Sequence, residues 1–242
     1  MAAGWLLAGV VIALFCTLGM WQLARGDSKQ ATLDDIERVL AARDALPLAA
    51  AADSGRIDSL DWAAGEGRFA SAPAVLLDNQ IRNSRPGVRA YRVFVPTQGA
   101  PLLVELGWLP LPGDRRLPRI DPVPQIRRVS GLLAPPPSAG LATPSVSATP
   151  GGNLLAIGLD RDVLAGALQQ PALAPRVLKL DPDLPFGYAR DLDLLPNTLP
   201  PDRHLGYAVQ WFGLAAAVLV IAVVMTLRQR RRKPGPREKM RA

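Results

Sequence analysis

The sequence contains very few side chains that could form a disulfide or bind a metal: one cysteine, Cys16, and one histidine, His204. A lone cysteine cannot form an intramolecular disulfide framework, and one histidine with a remote cysteine cannot build a structural zinc site. GxSxG, HExxH and glycine-rich phosphate-binding motifs are missing from the 242 residues. A histidine-dependent hydrolase would have to use His204, which no such serine motif accompanies. We therefore expect a protein that is not an enzyme and has no catalytic residues.

Charge is missing from two long apolar runs, one near each end of the chain. Trp5 to Leu23 contains no charged residue, and a second apolar run extends from Gly213 to Leu227. Such runs, the second with the aromatic segment before it, can cross a hydrocarbon core about 30 Å thick. We predict transmembrane helices over 4–25 and 207–227. A cleaved signal peptide is the alternative for the first run, but no Lys or Arg precedes it and it ends in Met-Trp-Gln-Leu.

The net charge of the chain is concentrated in one place. Its value is +7, and residues 228–242 contain eight basic side chains and one acidic one, so the rest of the chain is neutral. A basic segment beside a membrane helix is typical of a cytoplasmic anchor, and a neutral remainder argues against nucleic-acid binding. Two membrane crossings place both termini in the cytoplasm and residues 26–206 on the other side. In a bacterial cell inner membrane, that side is the periplasm.

The segment 26–64 is predicted to hold a short helix and a linker. Thr32 and Asp35 have the spacing of a capping box, and apolar residues recur at helical intervals over 33–43. We therefore expect a helix that starts at this capping box and ends before Pro47. The alanine-rich residues 49–52 are typical of a linker or loop.

Residues 65–206 are predicted to form a β-rich domain, because short apolar runs alternate with turn residues. Pro86 and Gly87 suit the centre of a type II turn. The spacing indicates an antiparallel sheet or small barrel, with one short helix capped by Asp160 or Asp162 and extending to Leu168. The predicted strands cover 67–69, 74–77, 90–95, 102–108, 127–133, 154–159 and 176–180.

Two segments of this domain have unusual composition. Residues 134–152 are rich in Pro, Ser and Ala and are predicted to be a mobile loop that carries no core. The acidic pairs Asp181/Asp183 and Asp191/Asp193 are predicted to be loop residues, since no third type of metal ligand lies near them in the sequence.

An arginine-rich region covers 68–128, with ten arginines and four acidic residues. It is either an ordinary solvated surface or a docking face for an acidic partner or an anionic cofactor. The sequence leaves both interpretations open, most of all for 82–128.

Polar and aromatic residues cluster where the two apolar runs meet the central domain. On a helix, residues three, four and seven positions apart share a face. Tyr and Trp are also typical of the membrane–water interface. The residues with this spacing are Leu18, Trp21, Gln22 and Arg25 in the first run, and His204, Tyr207, Ala208 and Trp211 before the second.

These two end segments, Leu18–Arg25 and His204–Phe212, resemble the terminal signatures of the Surfeit locus protein 1 family. The chain departs from the family pattern at Glu105-Leu106, where Asn-Arg is usual, and at Ser28-Lys29, where Trp-Lys is usual, so no function is carried over to Glu105. Four internal segments also resemble family motifs in the same order: Gly67–Phe69, Leu77–Asn79, Arg85–Gly87 with Tyr91–Val93, and Leu103–Pro110.

The resemblance implies two antiparallel membrane helices that bracket a β-rich α+β domain outside the cytoplasm. It also implies a non-enzymatic role in assembling cytochrome c oxidase, with the haem-bearing subunit as chief partner and haem a bound transiently. The alternative is a two-helix membrane scaffold or sensor that presents a periplasmic binding domain. A sensor would be expected to continue into a cytoplasmic signalling domain, and only fifteen residues follow Leu227.

The chemistry of haem suggests roles for the end segments. Haem iron binds an axial imidazole, for which His204 is the candidate, and Met20 is a weak second one. Trp21, Tyr207 and Trp211 would pack against the macrocycle, and Arg25 would meet a propionate.

The alternative is that the aromatic residues of these segments only join the two helices and anchor them in the membrane. Gln22 and Gln210 would then serve the same purpose. Together with Trp108 in the central domain, these two glutamines are the candidates for contacts with a partner or between the helices.

Overall fold

The computed structural model describes residues 2–123, 128–137, 143–192 and 199–231. The chain forms two compact units, one made of residues 1–34 with 199–242 and the other of residues 35–198. The first unit is built from two long apolar helices, and the second is β-rich. The β-rich unit thus lies between the two helices in the sequence.

The first helix, α1 (Ala2–Ala42), is continuous. The predicted helix start at Thr32 is therefore wrong: the Thr32 hydroxyl donates to the carbonyl of Ser28 at 3.1 Å, inside the helix. No proline interrupts this stretch, so the helix that begins in the apolar run continues through the polar residues. It ends because Arg43 adopts a φ of 47°, a left-handed conformation common just after a helix.

The last helix, α3 (Pro201–Arg231), extends beyond the apolar run at both ends. Pro201 suits the first turn, where its missing N–H is not needed. By length and composition, both α1 and α3 are able to cross a membrane.

The second unit contains one nine-stranded sheet. Eight of its strands lie in or extend into the region predicted to be β-rich, which agrees with that prediction. Six of the nine strand pairings are antiparallel. The strands are β1 (Leu46–Pro47), β2 (Asp61–Phe69), β3 (Val75–Arg82), β4 (Arg85–Pro96), β5 (Leu102–Pro110), β6 (Arg128–Ala134), β7 (Ser145–Ala148), β8 (Leu154–Ile157) and β9 (Val177–Leu180).

Five strands close into a ring, which we call the barrel. The sheet order is β1-β2-β6-β9-β5-β4-β3-β8-β7, and an additional pairing between β2 and β4 closes β2, β6, β9, β5 and β4 on themselves. β3, β8 and β7 extend the sheet outward from β4. The barrel interior is apolar and receives side chains from all five strands, among them Ala63, Phe94, Leu102, Val129 and Leu178.

The outer side of β4 and β5 is covered by the short helix α2 (Arg161–Ala167) and the strands near it. Of the two predicted caps, Asp160 is the one that caps α2, because its carboxylate accepts from the backbone N–H groups of Asp162 and Val163 at 3.0 Å. Leu164 and Leu168 pack in the same cluster as Tyr91. In β5, Leu102 and Val104 lie in the barrel interior and Leu103 lies in this second core, so the side chains of β5 alternate between the two.

The hairpin between β3 and β4 corrects the predicted type II turn. Asn83 and Ser84 have φ values of 50° and 59°, while Arg82 and Arg85 are paired. Two central residues with positive φ are typical of the turn that matches strand twist in a two-residue hairpin. Pro86 consequently lies in β4, not at the centre of the turn.

Three further segments differ from their predictions. Residues 49–52 are part of a 3-10 helix, Leu48–Ala52, and Ala51 is fully buried in the barrel core, so this is not an open linker. β2 begins at Asp61, before the predicted boundary at 65. The predicted coreless loop 134–152 contains β7, whose Val146 packs against the second core; its residues 138–142 lie outside the described residues.

Candidate functional site

The contact between His204 and Gln22 joins α1 to α3. Nδ1 of His204 lies 2.7 Å from Oε1 of Gln22, and the histidine is only 7% exposed. The other ring nitrogen, Nε2, is buried and has no hydrogen-bond partner among the described residues. A buried imidazole with one nitrogen anchored and the other unpaired is chemically the most distinctive group of the helix pair.

Small residues position this contact. Ala208 and Ala215 of α3 are buried with His204, while Gly19 of α1 is buried against the ring of Phe212. A Cβ atom at Gly26 would lie 3.3 Å from the Cβ of His204, so α1 approaches the histidine closely there. The helices can therefore hold a buried imidazole between them.

The contacts between α1 and α3 follow a consistent order along both helices. The indole N–H of Trp5 donates to the Thr226 hydroxyl at 3.0 Å, and the rings of Phe15 and Trp211 lie 5.6 Å apart. Further along α1, Nζ of Lys29 donates to the carbonyl of residue 199 at 2.6 Å. Successively higher residue numbers in α1 thus contact successively lower residue numbers in α3 and the residue just before it.

The predicted helical face is only partly the buried one. His204 and Ala208 are buried and Trp211 is half-buried, whereas Tyr207 is 43% exposed. At about 100° per residue, Tyr207 lies roughly 60° to one side of His204 while Ala208 lies about 40° to the other. α3 contacts α1 through the side that carries His204 and Ala208, so Tyr207 faces away from α1.

Most of the other candidate residues of the helix pair are exposed. Trp21 is 57% exposed and Met20 is 60% exposed, and neither shares the buried side of α1 with Gly19. Arg25 and Gln210 are exposed as well. Arg25 has no acidic partner within the described part of the chain, so its guanidinium is available to an anionic group.

A cavity of about 300 Å³ opens between the helices near Gly26. Its lining includes Asp27 and Asp202, two carboxylates that would repel an anionic group. An anionic ligand tail would therefore not be directed into this cavity; exposed Arg25 offers the favourable charge.

A buried charge cluster in the barrel wall was not predicted from the sequence. Glu105 of β5 is 2% exposed and accepts from Nη1 of Arg89 at 2.5 Å and from the Tyr91 hydroxyl at 3.0 Å. Nζ of Lys179, on the neighbouring strand β9, lies 4.0 Å from the same carboxylate. Two cations thus surround one anion, with Tyr91 and Lys179 as the strand partners of Glu105 on either side.

Burial and charge govern the protonation of this cluster. Burial, together with the adjacent Glu105 carboxylate, raises the pKa of Tyr91 well above its ordinary value, so its hydroxyl stays protonated and donates. Burial lowers the pKa of Arg89, but the charge of Glu105 outweighs it and the net direction is upward. Glu105, Arg89, Tyr91 and Lys179 all contact one another through Glu105, so the cluster is a structural network.

A second buried network holds the barrel to the segment before it. Arg176 is 1% exposed, and its Nη2 donates to Asp61 at 2.7 Å and to the carbonyls of Ser59 and Leu133 at 2.6 and 2.9 Å. Burial raises the pKa of Asp61, but hydrogen bonds from Arg56 and Arg176 outweigh it and the net direction is downward. This network joins β2 and β6 to the residue just before β9.

Trp108, a candidate for contact with a partner, is mostly inside the β-rich unit. The residue is 8% exposed; its indole N–H donates to the carbonyl of Gln80 at 3.1 Å, and its backbone N–H donates to the carbonyl of Ala189 at 2.7 Å. Trp108 therefore joins three segments of the unit through its side chain and backbone together, and it offers little surface to another protein.

The loop acids and several surface arginines neutralise one another. Arg43 lies 3.6 Å from Asp181 and 3.4 Å from Asp183, and Arg82 lies 3.0 Å from Asp191. Within the described ranges, no three His, Cys, Asp or Glu side chains are grouped so as to hold a metal ion. Asp193 of the second predicted pair and Arg127 of the arginine-rich region lie outside the described residues.

The comparison with protein families covers most of the chain. The sequence model of the SURF1 family matches residues 9–216. This range includes α1 from its second turn, the whole barrel and α3 through the His204 contact. No individually curated protein matches the sequence.

Proposed function

Because the chain belongs to the SURF1 family, whose members are related to cytochrome c oxidase assembly, we propose that it is a non-enzymatic membrane assembly factor for the oxidase. In this proposal it assists maturation of the haem-bearing subunit and binds haem a transiently. The proposed haem binding rests on one observation. The His204 imidazole is buried, its Nδ1 is hydrogen-bonded to Gln22, and its Nε2 has no hydrogen-bond partner among the described residues.

We place α1 and α3 in the bacterial inner membrane as an antiparallel hairpin. Their length and composition, the order of their contacts and the small residues between them support this arrangement. The exposed apolar side chains of both helices, such as Leu6, Leu7, Val220 and Ile221, would face lipid. The basic residues 228–242 favour a cytoplasmic C-terminus, which puts the N-terminus there too and the β-rich unit in the periplasm.

The residues of the helix pair fit haem in their ligand chemistry. Haem would supply an iron atom that binds an imidazole nitrogen and two propionates that bind cations. His204 would hold the iron through Nε2, because Nδ1 is already engaged by Gln22. Metal-bound histidines usually have their second nitrogen hydrogen-bonded in this way, which orients the ring.

The exposed residues near His204 would complete the site. Arg25 would meet a propionate, since it is exposed and without an acidic partner in the described residues. Tyr207, Trp21 and Trp211 would offer ring surface toward lipid, where a macrocycle could pack. Because Nε2 is covered in this structure, the side chains over it would have to move before His204 could bind iron.

Topology gives the first test of this proposal. A reporter active only in the cytoplasm, inserted at the exposed Gly151–Gly152 turn, should be inactive, whereas the same reporter after Ala242 should be active. A reporter active only in the periplasm should show the opposite pattern. Activity of the cytoplasmic reporter at Gly151–Gly152 would contradict the two-crossing arrangement.

A further inference from the structure

The hydrogen bond between Gln22 and His204 has a direction. Oε1 of Gln22 faces Nδ1 of His204 at 2.7 Å, and an amide oxygen can only accept. With the Gln22 amide in this orientation, Nδ1 carries the proton. A neutral imidazole has one N–H, so Nε2 keeps a lone pair.

The reverse arrangement is less favourable. If the Gln22 amide were turned around, its NH₂ group would donate to Nδ1 and the imidazole proton would be on Nε2. That N–H would then be buried without an acceptor among the described residues. Buried N–H groups without a partner are rarer than buried acceptors without one, so the geometry favours the proton on Nδ1.

We infer that Gln22 is the positioning residue that fixes His204 as the Nδ1–H tautomer and so leaves Nε2 as the iron-binding atom. The iron-binding part of this inference rests on the proposed haem function; the tautomer does not. The bond joins one helix to the other, so the ring is oriented by a residue 182 positions away in the sequence. Gln22 stabilises one tautomer and one ring orientation before any ligand binds.

The first measurement uses the protein without haem. Since His204 is the only histidine, full-length protein labelled with [¹⁵N]histidine in lipid nanodiscs gives one Nδ1 and one Nε2 signal. At a pH where the imidazole is neutral, wild type should show a protonated Nδ1 and an unprotonated Nε2. Gln22→Met keeps the side-chain length but removes the acceptor, so the two tautomers should become mixed. Gln22→Glu keeps an acceptor and should retain the wild-type pattern.

Gln210→Met is the matched control, because Gln210 is exposed on α3 and has no side-chain hydrogen bond in the described part of the structure. It should leave both nitrogen signals unchanged. A wild-type protein with its proton on Nε2 would overturn the inference. So would a Gln22→Met protein with the wild-type pattern. If Gln22→Met fails to insert, the wild-type and Gln22→Glu spectra still test the tautomer. A proton on Nε2 in either protein would overturn the inference.

The second measurement uses protein loaded with haem a. Gln22→Met should weaken haem binding by about 10–100-fold, the usual cost of losing the residue that orients a metal-bound histidine. Gln22→Glu should retain haem but lower its reduction potential, because a carboxylate makes the imidazole a stronger donor. Unchanged affinity and potential in both variants would overturn the positioning role while leaving the haem function intact. Wild type that shows the expected tautomer yet binds no haem would contradict the haem function alone.

Discussion

Glu105→Gln is expected to lower the free energy of unfolding of the β-rich unit by about 3–5 kcal/mol, since it removes one partner of a buried ion pair. The buried Glu105 carboxylate lies against two buried cations, Arg89 and Lys179. Glutamine nearly preserves the shape but removes the negative charge that both cations face. Urea-dependent proteolysis of the membrane-inserted protein would measure the change.

The matched control is Glu66→Gln, which makes the same chemical change at an exposed position of β2. It should alter stability by no more than about 0.5 kcal/mol. Arg89→Gln combined with Glu105→Gln should cost less than the sum of the two single changes, because the residues are in direct contact. A Glu105→Gln protein as stable as the Glu66→Gln protein would show that the cluster does not depend on this carboxylate.

From the proposed haem function, His204→Ala is expected to remove haem a from the purified protein almost completely, with at least a roughly tenfold loss of haem per folded molecule. No other imidazole in the chain can replace it. The helix pair should remain, because the small-residue packing at Gly19 and Ala208 and the bond between Trp5 and Thr226 do not involve the histidine. The measurement is the Soret absorbance relative to inserted protein.

Two comparisons make the His204 result specific. Tyr207→Phe, one turn away and exposed, should retain most of the haem, since it keeps the ring surface. If His204 only joined the helices, His204→Ala would instead lower the amount of inserted protein, and haem would fall in proportion. Full haem retention per inserted molecule would eliminate the ligand role. A weak, shifted band would point to Met20, although this residue is 60% exposed and on another side of α1.

Local sequence patterns predicted much of the fold but not its closure. Alternating apolar residues identified most strands, and the pair Asp160 and Asp162 placed the start of α2 to within two residues. The barrel depends on pairing between β2 and β4 and on the parallel pairing of β5 with β9, which join residues far apart in the sequence. Neither pairing leaves a local pattern. The continuous α1 was missed because a capping-box sequence also fits inside a helix when the preceding residues are helical.

The sequence predicted which residues form the candidate site better than it predicted how they are arranged. Resemblance and uniqueness pointed to His204, and Gln22 was expected among the contacts between helices. Their hydrogen bond could not be predicted, since it depends on how each helix is rotated about its axis. A rotation of about 60° decides whether His204 or Tyr207 is buried. The Glu105 cluster was missed because its partners come from neighbouring strands, although an acid within Leu102–Leu106 was a visible signal.

That this protein assists oxidase assembly is tested most directly by measuring cytochrome c oxidase activity and haem a content in membranes of a strain lacking its gene. We predict that both fall, that respiration through other terminal oxidases continues, and that the wild-type gene supplied in trans restores both. Unchanged oxidase activity and haem a content in the deletion strain would contradict the assembly function.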